Sequence, residues 1–288
     1  MIELPEAFLA MPRWWTGGGE WLADLPAAVD RQCERWGLTI DGPVSHGSNA
    51  IVVRVTRDGE QLVLRMSPPG PDLAEHARAL RWWDGRGTVR LYDVDLPHGA
   101  MLLERLGDSL ADQPVGEAMA VLGRMMRRLA VPAPADVPST ATNVSNRVPQ
   151  LQADWERLGK PFDQAVLTEA LTVANHLSKT TSDLAANGDS HSDQVLRGAR
   201  EPWIVVDPVL YRGDPECDLG RTLLTRVDEM ADSAEIRQHF DTIVREAELD
   251  PERARDWVVF RAVDYWLWGL AHSLTIDPER CRRIFEAF

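Results

Sequence analysis

Lysine is almost missing from this chain: only Lys160 and Lys179 occur among its 31 basic residues, and none precedes residue 160. Any cation that the first half needs for an anionic ligand must therefore be an arginine, whose planar fork contacts oxygen anions in pairs. Cysteine is scarce too. Cys33, Cys217 and Cys281 are far apart and odd in number, with no C-x-x-C or Cys/His spacing. That excludes a disulfide framework and a zinc site and fits a reducing cytoplasm. No stretch reaches the roughly 18 apolar residues of a membrane span. Glu3, Pro5 and Glu6 stand where a signal peptide would be basic and then apolar. A cytoplasmic protein without a membrane partner is expected. Basic charge is also in deficit, 31 Lys and Arg against 45 Asp and Glu, for a net charge of −14. A nucleic-acid partner is not expected, because counterion release needs basic surface, whereas an acidic surface suits a cationic small substrate.

At 288 residues the chain is long enough for two lobes with separate cores. Leu22, Leu25, Val29, Cys33 and Trp36 recur at three- and four-residue steps, which predicts a lead-in helix over 21–36 packed on the lobe that follows. Strands over 51–56 and 62–66 flank Arg57-Asp58-Gly59-Glu60, and an Asp-Gly between β-branched runs signals a hairpin. A helix over 72–84 and strands over 89–94 and 100–103 complete a small antiparallel sheet carrying one helix, so 1–103 reads as the N-terminal lobe. The region 104–288 reads as helical, with helices over 115–130, 150–158, 162–186, 216–230, 235–248, 251–274 and 278–288. The Pro-rich 131–138 and Ser/Thr/Asn-rich 139–146 read as exposed loop. The class is α+β.

The helical part is interrupted by a polar loop, Asn187-Gly188-Asp189-Ser190-His191-Ser192-Asp193-Gln194, and two short apolar segments, the second being Ile204-Val205-Val206-Asp207-Pro208. This predicts a hairpin with Asp189 and Asp207 at its mouth. On a bland reading Asp189 caps a turn and Asp207 ends a strand. In phosphoryl-transfer sites of the kinase type, one such carboxylate orients the attacking hydroxyl and another holds Mg²⁺ against the nucleotide phosphates. Asp189 is then the catalytic residue, accepting the hydroxyl proton, and Asp207 a ligand of Mg²⁺, a hard ion that prefers oxygen. Within the loop His191 either bonds its neighbours or serves as a general base. Asp218 is an N-cap or a brace for the loop.

The remaining parts of such a site have candidates in the first lobe. Residues 45–50, with Ser48 near the centre, suit a lid whose backbone N–H groups approach phosphate oxygens. Arg65 on the second strand of the hairpin is the best-placed cation, with Arg54 as an alternative and Glu75 on the next helix as partner. Leu102-Leu103-Glu104-Arg105-Leu106 reads as a hinge in which the Glu104 carbonyl and Leu106 N–H meet the adenine edge. Trp257, Tyr265, Trp266 and Trp268 recur at helical steps, as a core stripe or an aromatic wall. No G-x-S-x-G, H-E-x-x-H or Walker-type Gly-Lys-Ser/Thr is present.

These segments resemble the aminoglycoside phosphotransferase family, whose signatures are H-G-D-x-H-x-x-N-x-L, I-D-P and G-D-P-x-x-D-L. The last corresponds to Gly213-Asp214-Pro215-Glu216-Cys217-Asp218-Leu219. The likeness is closest to the streptomycin 6-kinase and hydroxyurea phosphotransferase branch, and runs through Trp36-Gly37-Leu38, residues 79–91, Leu102–Leu106 and residues 200–208. It implies a protein-kinase-like two-lobe fold, ATP or GTP with Mg²⁺, and O-phosphorylation of a hydroxylated small antibiotic or related metabolite, with an aminoglycoside such as streptomycin first in line. It also implies an acceptor pocket among the C-terminal helices, with Asp264 facing a cationic substrate, and places Gln194 where the family has a metal-binding Asn. Asn187 stands for the family's His, Arg65 for its Lys and Ser190 for its Leu. Two readings follow, an active small-molecule kinase and a kinase-fold protein that binds nucleotide or metabolite without transferring phosphate.

Overall fold

The computed structural model describes residues 2–11, 14 and 18–288, and the chain divides into two compact units, Met1–Gly107 and Asp108–Phe288. In the first unit, helices α1 (Glu6–Leu9) and α2 (Gly19–Trp36) precede strands β1 (Thr39–His46), β2 (Ile51–Arg57) and β3 (Glu60–Met66). Helix α3 (Pro71–Trp83) and strands β4 (Leu91–Asp95) and β5 (Ala100–Glu104) follow. The strands form one antiparallel sheet in the order β1-β2-β3-β5-β4. Asp58 and Gly59 both take positive φ, 52° and 83°, so Arg57 pairs with Glu60 across a two-residue hairpin.

Period-two alternation buries Ile51, Val53 and Val55 on β2 and Leu62, Leu64 and Met66 on β3 completely. They form one core with Leu25, Val29 and Cys33 of α2 and with Phe8 of α1, a short helix that the sequence did not signal. Each such aliphatic side chain removed from water contributes about 1.5–3 kcal/mol. Glu104 pairs with Leu62, and Arg105 donates to the carbonyls of Leu62 (3.1 Å) and Val55 (2.6 Å), which fastens the segment after β5 to the sheet unit.

The second unit holds α4 (Val115–Leu129), α5 (Thr140–Arg157), α6 (Gln164–Leu177), α7 (Leu219–Leu224), α8 (Ser233–Ala247), α9 (Pro251–Ala271) and α10 (Ile276–Phe285). Between α6 and α7 lie four short strands, β6 (Ala185–Asn187), β7 (Val195–Arg197), β8 (Trp203–Val205) and β9 (Leu210–Arg212), paired as β6 with β9 and β7 with β8. Leu151 and Trp155 of α5, Leu167 and Ala174 of α6 and Trp257 and Val263 of α9 share its core.

Several expectations for this unit need correction. Residues 139–146 are not a loop: Ser139 caps α5 by accepting the Thr142 N–H (3.4 Å), and Thr140 and Val144 are buried. The helix also runs through Pro149, so its start lies ten residues before the expected Gln150. The helix expected over 162–186 stops at Leu177, because Ala185–Asn187 is drawn into a strand by Leu210–Arg212. Tertiary pairing overrides the helix propensity of the alanines. The helix expected over 216–230 is instead a tight turn, the six-residue α7 and a second tight turn. The expected hairpin does form, as β7 paired with β8 and followed by Asp207, but Asp189 is not at its mouth: it follows β6, which pairs with β9.

Candidate active site

The loop after β6 is shaped by its own side chains. Asn187, 8% exposed, accepts the Val209 N–H (2.9 Å) and the Asp189 N–H (3.2 Å) on Oδ1 and donates from Nδ2 to the Asp189 carbonyl (3.3 Å). A short amide therefore does the turn-forming work of the residue at this position. Next to it Gly188 has no room for a side chain, since a Cβ would lie 2.1 Å from the Tyr211 ring. Asp218 braces the loop from the turn before α7, its Oδ2 accepting the Ser190 N–H at 2.6 Å, and Thr222 on α7 donates to the Ser190 carbonyl (2.7 Å). Burial pushes the Asp218 carboxyl up to about 7, against the pull of Arg261 and of the Ser190 N–H.

Asp189 is held on both oxygens. Oδ1 accepts from Arg221 Nε at 2.6 Å and lies 3.6 Å from His191 Nε2, while Oδ2 accepts from Gln194 Nε2 at 3.2 Å. Burial opposes its ionisation, but the His191 contact and the Arg221 charge outweigh burial and hold the carboxyl below its usual range. His191 is in the converse position. Burial works against its charge, yet its bonds to Asp189 and to Asp193 (3.1 Å) push it up to about 9. The raised value favours a protonated donor near neutral pH, in keeping with a loop-bonding role.

At the open end of the β7–β8 ribbon the Val206 N–H donates to the Gln194 carbonyl (2.9 Å), one step beyond the Val195–Val205 pair. That rung brings Gln194 and the half-buried Asp207 to the same ribbon end. Among the described residues no three His, Cys, Asp or Glu side chains gather into a metal cluster. The Asp207 carboxylate and the Gln194 amide oxygen are hard donors of the type that suits Mg²⁺.

In the sheet unit Arg65 pairs with Val52 on the face opposite Leu64 and Met66, yet it is only 8% exposed. Its guanidinium donates to Ser67 Oγ and to Asn49 Oδ1, each at 3.1 Å. The second bond ties β3 to the turn between β1 and β2, which closes through Gly47 N–H to the Ala50 carbonyl (2.9 Å) and carries Ser48 exposed. Arg54 is exposed on β2, with its stem against Gly42. Glu75 is exposed on α3, whereas its neighbour His76 is buried. Glu104 ends β5, where its carboxylate accepts the Arg90 N–H (3.2 Å), and Leu106 follows half-buried.

A cavity of about 250 Å³ opens beside Gly188 within the helical unit, lined among others by Asn143, Tyr211, Trp257, Arg261 and Asp264. Asp264 is already paired, with Arg147 at 2.5 Å and Arg261 at 3.4 Å. The aromatic stripe of α9 splits. Trp257 and Trp266 are buried, Trp257 donating to Asp214 (3.0 Å), while Tyr265 stacks on the exposed Trp268 at 5.0 Å. Arg221 and Asn49 were not foreseen from the sequence. Arg221 had a weak signal, a cation three residues after Asp218 at a helix start, and Asn49 had only its place within the turn.

Residues 35–283 match the profile of the aminoglycoside/hydroxyurea antibiotic resistance kinases. A hydroxyurea phosphotransferase of Kitasatospora aureofaciens is 32% identical over 97% of this chain and 84% of its own length. A streptomycin 6-kinase of Streptomyces griseus is 34% identical over 95% of this chain and 93% of its own. Among solved structures, the aminoglycoside phosphotransferase APH(4)-Ia in ternary complex with AMP-PNP and hygromycin B covers 90% of this chain and 97% of its own, at TM-score 0.61 and 16% identity. Choline kinase LicA of Streptococcus pneumoniae covers 94% and 99%, at TM-score 0.59 and 11% identity. At such identities the likeness speaks for the fold, which is protein-kinase-like, with an antiparallel-sheet unit followed by a helical one. Matched over most of its length, this chain belongs to the aminoglycoside/hydroxyurea antibiotic resistance kinase family.

Proposed function

We propose that this protein transfers the γ-phosphoryl group of a nucleoside triphosphate, ATP first, to a hydroxyl of a small antibiotic. The observation that carries the reading is the Asp189 carboxylate, held on both oxygens and next in sequence to Gly188, which lines a cavity of about 250 Å³. Asp189 orients the acceptor hydroxyl and takes its proton as the new O–P bond forms. A carboxyl held below its usual range is a weak base, but a loose transition state asks mainly for orientation, and proton transfer follows late. Asp207 and the Gln194 amide oxygen would hold Mg²⁺, which supplies charge neutralisation on the phosphates when bound. In the sheet unit Arg65, fixed through Asn49 to the turn that carries Ser48, meets phosphate oxygens, and the Glu104 and Leu106 backbone meets the base. Glu75 on α3 is the partner of Arg65 in this reading.

The cavity beside Gly188 is the acceptor pocket in this reading, with Tyr211 and Trp257 as walls and Arg261 and Asp264 as polar contacts. Relatives named for streptomycin and hydroxyurea make these two compounds the first acceptors to test. Incubation with Mg-ATP and each acceptor, followed by mass spectrometry, should give a singly phosphorylated product with the wild type and none with Asp189→Ala. Nucleotide binding without product across a panel of hydroxylated antibiotics would favour a binding protein instead.

A further inference from the structure

We infer that Arg221 is the positioning residue of the transfer step, aiming the Asp189 carboxylate from the side opposite Gln194. The inference rests on the phosphotransferase reading and adds to it a residue outside the signature segments.

Three bonds fasten α7 and the turn before it to the loop. Asp218 takes the Ser190 N–H, Thr222 gives to the Ser190 carbonyl, and Arg221 Nε gives to Asp189 Oδ1 at 2.6 Å. The first two fix the backbone, and only the third reaches the carboxylate itself. A carboxylate held by one oxygen can still swing about its terminal torsion, whose rotamers are broad. With Arg221 on Oδ1 and Gln194 Nε2 on Oδ2 at 3.2 Å, both ends of the group are fixed and its plane with them. Each oxygen keeps a lone-pair direction for an acceptor hydroxyl.

The pair is also placed so that it holds. Arg221 is 31% and Asp189 25% exposed, and Arg221 shares a hollow with Tyr265, Leu224 and Cys281. Partial enclosure makes the contact stronger than a solvated surface pair. Its geometry is set by the approach of α7 to α9 at Gly220, where a Cβ would lie 2.7 Å from Arg261 Cβ. The Nε bond to Asp189 Oδ1 is the route by which Arg221 acts on the reaction.

Kinetics of Arg221→Gln and Arg221→Lys with Mg-ATP and the acceptor that the wild type phosphorylates, streptomycin or hydroxyurea, test this. Arg221→Gln should lower kcat about 10- to 100-fold with KM for Mg-ATP within about twofold, the pattern of an interaction needed in the transition state rather than for nucleotide binding. Arg221→Lys, which keeps a cation and a donor, should recover at least about fivefold of that loss. An unchanged kcat in Arg221→Gln, a loss carried by KM for Mg-ATP, or equal losses in both variants would overturn the inference. Thermal unfolding of both variants separates misfolding from misaiming. Crystal structures of Arg221→Gln and the wild type give a readout that needs no acceptor. The Asp189 carboxylate should turn away from Gln194 Nε2 in the variant, and an unmoved carboxylate overturns the inference even if no acceptor is turned over. Absence of product from the wild type counts against the phosphotransferase reading alone.

Discussion

Asp218 Oδ2 accepts the Ser190 backbone N–H at 2.6 Å, joining the turn before α7 to the loop that carries Asp189 across 28 residues of sequence. Both groups are buried, Asp218 at 1% and Ser190 at 7% exposure. Asp218→Ala would strand a buried donor, which costs about 1–3 kcal/mol before the loss of packing is counted. Asp218→Asn keeps an acceptor oxygen and should cost less than half as much. Urea unfolding of the two variants checks the order, and equal destabilisation would mean that charge rather than the hydrogen bond matters.

Arg65 bridges Ser67 and Asn49, each at 3.1 Å, with two different nitrogens of its fork. A lysine cannot make both contacts in that plane. Arg65→Lys should therefore weaken binding of Mg-AMP-PNP by about tenfold, or about 1.4 kcal/mol. Asn49→Ala should weaken it by a smaller factor. Calorimetric titration reads both. Tighter binding or faster turnover in Arg65→Lys would mark Arg65 as a degraded lysine position.

His191 gains its proton affinity from Asp189 and Asp193, so its folded value of about 9 lies above the ordinary 6.5. The folded state therefore binds the proton more tightly than the unfolded chain. The stabilisation is fully present below about pH 6.5 and is lost as pH rises through about 9. Unfolding free energy should fall over that window in the wild type and stay flatter in His191→Gln, as measured by denaturation at a series of pH values.

Gly213 sits at φ 144°, and a Cβ there would lie 1.9 Å from Thr140 Oγ1, which itself accepts the Asp214 N–H at 3.1 Å. Gly213→Ala combines backbone strain with a clash in a buried contact and should cost about 2–4 kcal/mol. A melting temperature within a degree or so of wild type would contradict this.

How far the sequence carried the structure depended on whether the deciding interaction was local. The β2–β3 hairpin was legible because Asp58 and Gly59 set the turn and alternation set the faces. Residues 139–146 were not, because Ser139 is used for a cap and Thr140 for a contact to Asp214, and polarity alone cannot tell a cap from a loop. Ala185 and Ala186 read as helix because their strand partners, Arg212 and Tyr211, come 27 and 25 residues later. For the candidate site, pattern and resemblance point to Asp189, Asp207 and Gln194. The bonds Arg221–Asp189 and Arg65–Asn49 arise from packing between separate elements, and spacing along the chain does not encode them.

The most direct test is single-turnover transfer from Mg-ATP to streptomycin and to hydroxyurea by the wild type and by Asp189→Asn, followed by mass spectrometry of the acceptor. The account predicts one added phosphoryl group on an acceptor hydroxyl with the wild type and a rate lower by about a hundredfold or more with Asp189→Asn. Equal rates for the two proteins, or bound nucleotide with no phosphorylated product from any hydroxylated antibiotic supplied, would contradict it.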